Sequence, residues 1–184
     1  VMGNLTRMNF SGVKLELPTV LQLAFDGYME DLTDVDHLKA DVNLKAKTYN
    51  LGMVTAMLDP SLMKEIRIPS GMSILGHVKA DGARYATKLQ VREGAGVVRA
   101  DAAIDTKTLA YRAKLDVNNL QARHFLPRQE VYAFTGKLEA QGRGFDFLSP
   151  RTRLNAKAHV AQVHYGKYKI DHVIAVAHVA NGKI

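Results

Sequence analysis

Seven histidines and a run of acidic residues are the side chains in this chain best suited to acid–base or metal chemistry. The closest histidine pairs are His159 with His164 and His172 with His178, and neither pair has the ligand spacing of a zinc site. The acidic residues between positions 26 and 36 lack the glycine that a calcium-binding loop needs at its sixth position. The sequence therefore predicts surface histidines, a solvated acidic loop, no metal site and no cofactor.

The sequence also predicts no catalytic residue. The triplets Gly94-Ala95-Gly96 and Gly142-Arg143-Gly144 lack the third glycine and the strand-to-helix setting of a phosphate-binding loop. No Gly-x-Ser-x-Gly elbow is present, and Ser149 precedes a proline, as turn residues do. Members of a Ser-His-Asp triad need not be close in sequence, but no residue pattern here indicates one. We therefore expect a protein that is not an enzyme.

Composition indicates a folded chain and does not favour nucleic-acid binding. The 184 residues are 47% hydrophobic and 23% charged, which is typical of a globular domain. The net charge is +7, but the lysines occur singly along the chain, only 7% of residues are aromatic, and tryptophan is absent. A nucleic-acid surface usually has clustered cations with interleaved aromatic side chains. Cysteine is absent, which excludes disulfides and thiolate metal sites, and no apolar run approaches the ~20 residues of a membrane span.

The strongest pattern is a repeated alternation of apolar and polar residues with a period of two. In residues 38–47 every even position is apolar and every odd position is polar or charged. Such a stretch forms a strand with one apolar and one polar face. About ten stretches of this kind follow one another, separated by turn signals such as Asp81-Gly82. The sequence predicts a mainly β fold, a long antiparallel meander sheet with a single apolar side.

Two interruptions break this alternation. In residues 50–67 apolar side chains recur at helical spacing, and Asp59-Pro60 is typical of a helix start. We expect one or two short helices there, and a single helical turn in residues 121–126.

The predicted apolar side contains many small residues, and two interpretations stay open. Either the small side chains leave a cavity, or they lie where strands curve or approach closely. The small residues are Ala40, Ala46, Gly76, Ala80, Ala100, Ala102, Ala113, Gly136, Ala140, Ala156, Ala158, Ala175 and Ala177.

The last residues suggest a longer array. Asn181-Gly182 is a strong hairpin-turn signal, but only two residues follow it. We expect residues 1–184 to be a single fragment of a repeating β domain, cut from a longer protein.

Several segments resemble the AsmA-like translocation and assembly module proteins, the TamB group, of Gram-negative cell envelopes. They are IPSGMSILGHV (68–78), VNNL (117–120), HFLP (124–127) and FLSPRTRL (147–154), followed by Tyr165-Gly166 and Asn181-Gly182. The likeness covers roughly residues 38–184, and residues 1–37 match less well.

The resemblance implies a curved sheet folded lengthwise into a trough (a β-taco or β-groove) with an apolar interior. Such proteins are anchored in the inner membrane by a segment absent here, and they extend across the periplasm. They work with an outer-membrane β-barrel partner of the TamA/BamA type. They are thought to carry phospholipids between the two membranes, and no family catalytic residue exists. The helical stretch at 50–67 departs from a continuous trough.

The expected function is a periplasmic segment that shields phospholipid acyl chains in a hydrophobic groove. One alternative is a β-strand chaperone or interaction module for outer-membrane protein assembly, and another is a closed barrel that binds one small ligand. The expected groove residues are the large apolar side chains of the apolar side, namely Leu38, Val42, Leu44, Ile74, Val78, Leu89, Val91, Val98, Ile104, Tyr111, Leu115, Phe134, Leu138, Leu154 and Val160.

Overall fold

Strands make up most of the described chain. The structure, a computed structural model, describes residues 2–3, 6–51, 67–146 and 149–180. The strands in this part of the chain are β1 (Met2–Gly3), β2 (Arg7–Leu17), β3 (Leu21–Glu30), β4 (Lys39–Thr48), β5 (Ser73–Asp81), β6 (Arg84–Glu93), β7 (Gly96–Asp105), β8 (Ala110–Gln121), β9 (Val131–Arg143), β10 (Arg153–Tyr165) and β11 (Tyr168–Ala180).

The strands form one antiparallel sheet in the order in which they occur along the chain. Each strand pairs with the strand before it and the strand after it, so β1 and β11 are the two edges and the described sheet does not close on itself. Hairpin turns join most of the pairs, and Gly82, with a φ of 54°, sits in the β5–β6 turn. The predicted mainly β antiparallel meander is confirmed.

A single 3₁₀ turn, Ala122–His124, interrupts the sheet between β8 and β9. The carbonyl oxygen of Ala122 accepts hydrogen bonds from the backbone N–H groups of Phe125 (3.0 Å) and Leu126 (2.8 Å). The helical turn predicted in residues 121–126 is therefore confirmed. The helices predicted in residues 50–67 fall almost entirely on residues 52–66, which lie outside the described residues.

The pairing register divides the side chains of β2–β11 between two faces. Leu44 pairs with Gly76, which pairs with Leu89, and the same parity continues through Ala100, Leu115 and Leu138. We call the side of the sheet that carries these residues the apolar face. The opposite side, the polar face, carries the intervening residues, most of which are charged or polar.

The sheet is a single open layer over its described length. Among the described strands, extensive contacts are made by strands that are adjacent in the sheet. The 3₁₀ turn contacts β9. The chain exposes 12,401 Å² of surface, whereas a compact monomer of its mass, 20.3 kDa, exposes about 8,800 Å². Few apolar side chains are fully buried, and several of these are alanines shielded by larger neighbours on the apolar face, such as Ala40, Ala46 and Ala80. Much of the apolar face is therefore in contact with solvent.

Close approach of two backbones fixes the middle of the β3–β4 pair. Gly27 in β3 has a φ of 138°, and a Cβ added there would collide with the carbonyl oxygen of Asp41 and lie 2.8 Å from the Cα of Val42. Only glycine fits this position, since the obstructing atoms belong to the backbone of β4.

We expect Gly27→Ala to lower the free energy of unfolding by more than about 2 kcal/mol, because strain and steric overlap coincide there. Gly12→Ala is the matched control. Gly12 also has a positive φ, 57°, but an added Cβ meets no atom within 4 Å, so that variant should lose only about 1–2 kcal/mol. Urea unfolding followed by circular dichroism measures both values. Equal losses in the two variants would contradict the close approach.

Candidate functional site

The apolar face is the candidate site, and it contains almost all the groove residues predicted from sequence. Thirteen of the fifteen lie on it within regular strand pairing, namely Val42, Leu44, Ile74, Val78, Leu89, Val91, Val98, Ile104, Tyr111, Leu115, Leu138, Leu154 and Val160. Leu38 directly precedes β4 and is half-buried. Phe134 lies beyond a bulge in β8, where it pairs with Leu120 and its ring reaches over Gly136 on the same face.

The register aligns five alanines in a straight row across the apolar face. Ala102 of β7 pairs with Ala113 of β8, which pairs with Ala140 of β9; Ala140 pairs with Ala156 of β10, and Ala156 with Ala177 of β11. We call these five residues the alanine row. Neighbouring strands lie about 4.8 Å apart, so the row runs roughly 19 Å at right angles to the strands.

Larger side chains stand on both sides of the alanine row. Leu115 and Leu138 pair on one side, two residues from Ala113 and Ala140 along their strands. Ile104 and Tyr111 pair on the other side, and Leu154 and Val179 continue that line. The row is therefore the candidate floor of a shallow apolar groove, whose Leu115–Leu138 wall is continued only by the small side chains of Ala100, Ala158 and Ala175. Leu138 is 40% exposed although its strand lies inside the sheet, so this wall of the groove is open to solvent.

Elsewhere on the apolar face, neighbouring side chains fill the space that small residues leave. A Cβ added at Gly76 would lie 2.8 Å from Leu89 Cδ2 and 2.9 Å from Leu44 Cγ, and one added at Gly136 would lie 3.0 Å from Phe134 Cζ. These glycines accommodate large neighbours and leave no cavity. Of the two interpretations of the small residues, close approach applies at these glycines, and the alanine row is the remaining candidate for an open groove.

A threonine extends the line of the alanine row into β6. Thr87 pairs with Ala102 on one side and with Val78 on the other. Its hydroxyl oxygen is buried and has no hydrogen-bond partner among the described residues. A buried hydroxyl without a partner destabilises the fold, because it loses its hydrogen bonds to water.

The polar face carries mostly charged and polar residues, many of which pair across strands. His77 Nε2 lies 2.7 Å from Asp41 Oδ1, and Lys79 Nζ lies 2.9 Å from Asp41 Oδ2. These two neighbours, His77 first, hold the pKa of the Asp41 carboxyl below its ordinary value of 3.8. Similar pairs join Lys114 to Glu139 and other strand neighbours. Exposed pairs of this kind contribute little stability, but they keep this face solvated.

The described residues hold no cluster suited to metal binding and no helix suited to span a bilayer. No group of three or more histidines and carboxylates within this part of the chain could hold a metal ion. Several histidines instead contact single polar partners, as His124 does with Glu93 at 2.8 Å. Among the described residues no helix combines the length and the hydropathy that a bilayer span requires.

Comparisons of the chain with protein-family models, with curated proteins and with solved structures give no match. The function must therefore be argued from the site itself.

The alanine row is the part of the site that sequence reasoning missed. Each of its alanines is predicted on the apolar side, but their alignment depends on the register of four strand pairs. A partial signal exists, because Ala102 and Ala113 lie at equal distances from the centre of the 105–110 turn. Register in a hairpin follows from the turn, so this first pair is the one that could have been found.

We expect Thr87→Val to raise the free energy of unfolding by about 1 kcal/mol, because valine keeps the shape and removes the unpaired hydroxyl. Thr135→Val is the matched control, since the Thr135 hydroxyl accepts a hydrogen bond of 3.0 Å from the Asn119 N–H. That variant should lose about 1 kcal/mol. Chemical unfolding of the wild type and the two variants gives the sign of each change in the free energy of unfolding. A loss of stability in Thr87→Val would show that the Thr87 hydroxyl has a partner.

Proposed function

We propose that the apolar face binds the acyl chains of phospholipids and shields them from water, with the alanine row as the floor of the binding groove. The observation that carries this proposal is the straight row of five alanines. Four of them are half-buried and Ala177 is exposed. Leu115 and Leu138 stand on one side of the row, and Ile104, Tyr111, Leu154 and Val179 on the other. A hydrocarbon chain is the ligand that matches such a surface, because the groove offers no hydrogen-bonding or charged group along the row.

The energetics favour occupation by hydrocarbon. Each CH₂ group transferred from water to an apolar surface gains about 0.8 kcal/mol when fully buried. An extended acyl chain lying along the row also covers exposed protein surface such as that of Leu138. Both contributions make the free energy of binding more favourable. Head groups remain outside the groove, in solvent.

The proposal extends to the setting that the TamB resemblance implies. The segment then works in the periplasm, as part of a protein anchored in the inner membrane and joined to an outer-membrane β-barrel of the TamA/BamA type. A row that runs across the strands continues from one hairpin to the next, so a longer sheet would offer a longer path. Phospholipids would move along this path passively, without catalysis.

The first test is retention of lipid. We expect native mass spectrometry of the protein, purified from a lysate that contains membranes, to show bound phospholipid. Extraction and identification of the lipid then give its class. A chain that carries no lipid and takes up none from added phospholipid micelles would contradict the proposal.

We expect Leu138→Glu to lower lipid retention tenfold or more, because it places a charge beside the alanine row. The matched control is Leu75→Glu. Leu75 is a comparably exposed leucine, 48% against 40% for Leu138, but it lies on the polar face. The control should retain lipid as the wild type does. Circular dichroism checks that both variants fold. Equal loss of lipid in both variants would show that lipid binding does not depend on the apolar face.

A second pair of variants tests the groove floor without adding charge. Ala140→Leu fills the middle of the alanine row and should weaken lipid binding, whereas Ala24→Leu makes the same change on the polar face. If Ala140→Leu binds lipid unchanged, the row is not the floor of the site.

The edge strand β11 favours a second candidate function, strand addition to a client β protein in transit. Ile174 and Val176 on its polar-face side are 63% and 73% exposed, where the inner strands carry mostly charged residues. Exposed apolar edges pair readily with further strands. We expect a photo-crosslinker at Val176 to capture outer-membrane β-strands if this function operates, and a crosslinker at Leu75 to capture none. If the crosslinker at Val176 captures no strand, the strand-addition function is rejected and lipid binding is the remaining proposal.

A further inference from the structure

A ring of arginines surrounds three alanines on the polar face. Ala86 and Ala103 pair across β6 and β7, and Ala110 lies on β8. With these alanines as its floor, a depression of about 780 Å³ is lined by Arg84, Arg112, Arg143 and Arg153. We call it the arginine bowl. Small uncharged side chains here interrupt a face that is otherwise charged, so a ligand can approach the sheet closely.

Two of these arginines face each other without a counter-ion. Arg143 of β9 is the direct cross-strand partner of Arg153 of β10. Arg143 Nε donates a hydrogen bond of 2.8 Å to the carbonyl oxygen of Thr108, and among the described residues no carboxylate forms an ion pair with either guanidinium. Like charges directly opposite each other on neighbouring strands are destabilising. Apart from the Thr108 carbonyl oxygen, this pair therefore has no partner among the described residues that offsets its repulsion.

The acidic residues near the bowl do not neutralise it. Asp105 accepts hydrogen bonds from the backbone N–H groups of Lys107 (3.0 Å) and Thr108 (2.8 Å), and Arg84 lies 3.6 Å from its other oxygen. Arg112 lies 3.8 Å from Asp101. The lining holds five cationic residues, Lys79 among them, and two carboxylates, Asp81 and Asp105. Because Lys79 is paired with Asp41 outside the bowl, the excess positive charge is at the arginines.

We propose that the arginine bowl binds a phosphate group, held between the guanidinium groups of Arg143 and Arg153. The planar guanidinium group donates two parallel hydrogen bonds to phosphate oxygens, and a shared anion turns the repulsion of the pair into attraction. The alanine floor takes an apolar substituent of the phosphate. The bowl lies on the opposite face from the alanine row, so this site is independent of the proposed acyl-chain groove.

The phosphate can come from a soluble phosphate or from a lipid head group at a membrane surface, and two probes distinguish these sources. Isothermal titration with inorganic phosphate tests the first source. Co-sedimentation with vesicles of phosphatidylglycerol in phosphatidylcholine, against phosphatidylcholine alone, tests the second. Binding that depends on the arginines in either assay supports the site and names its source. Binding in neither assay overturns the proposal.

The decisive variant is the pair Arg143→Gln with Arg153→Gln, which we expect to weaken phosphate or vesicle binding tenfold or more. The control pair, Lys45→Gln with Lys47→Gln, removes the same charge from exposed positions of the polar face on β4. It should bind as the wild type does. An equal loss in both pairs would mean that only net charge matters, and would overturn the site.

A charge reversal gives a readout independent of affinity. Arg153→Glu places a carboxylate opposite Arg143, so we expect its melting temperature to exceed that of the wild type in the absence of phosphate. Phosphate should raise the melting temperature of the wild type and leave that of Arg153→Glu unchanged. A phosphate-induced shift of equal size in both proteins would overturn the proposal.

Discussion

The parity of strand pairing is the constraint on which the rest of this structure depends. The inner strands alternate apolar and polar residues, and the pairing keeps most of their apolar residues on one side of the sheet. A slip of one residue in any pair would move the apolar residues of that strand to the charged face. Where β8 and β10 bulge, the apolar pairing resumes beyond the irregularity, as Phe134 with Leu120 and Val163 demonstrates.

Separation of the two faces gives each its own chemistry. The apolar face has no described layer over it, and its unfavourable contact with water is the driving force for the hydrocarbon binding that we propose. Paired charges keep the polar face solvated, and the positions without such charge pairs are local. Arg143 and Arg153 are the clearest departure, and Ile174 and Val176 on the edge strand are another. Candidate sites occur where the general pattern of each face is interrupted.

Alternation in the sequence was sufficient to predict the sheet, its antiparallel meander and the side on which thirteen of the predicted groove residues lie. It could also locate the turn near Ala122, where the alternation stops before Pro127. It could not predict which residues of distant strands stand side by side, since that depends on turns and bulges such as the one at Asn119. The alanine row and the Arg143–Arg153 pair both arise from register, and both were therefore visible only in the folded sheet.

The connectivity of the meander has a consequence for cooperativity. Because the extensive contacts of each described strand are with the strands that precede and follow it in sequence, its stability is approximately a sum of nearest-neighbour terms, as in a solenoid repeat protein. Unfolding can therefore begin at either end and advance strand by strand, and evolution can insert or delete one hairpin without rearranging the others. Such a change would lengthen or shorten the sheet, and with it the proposed groove, in steps of two strands.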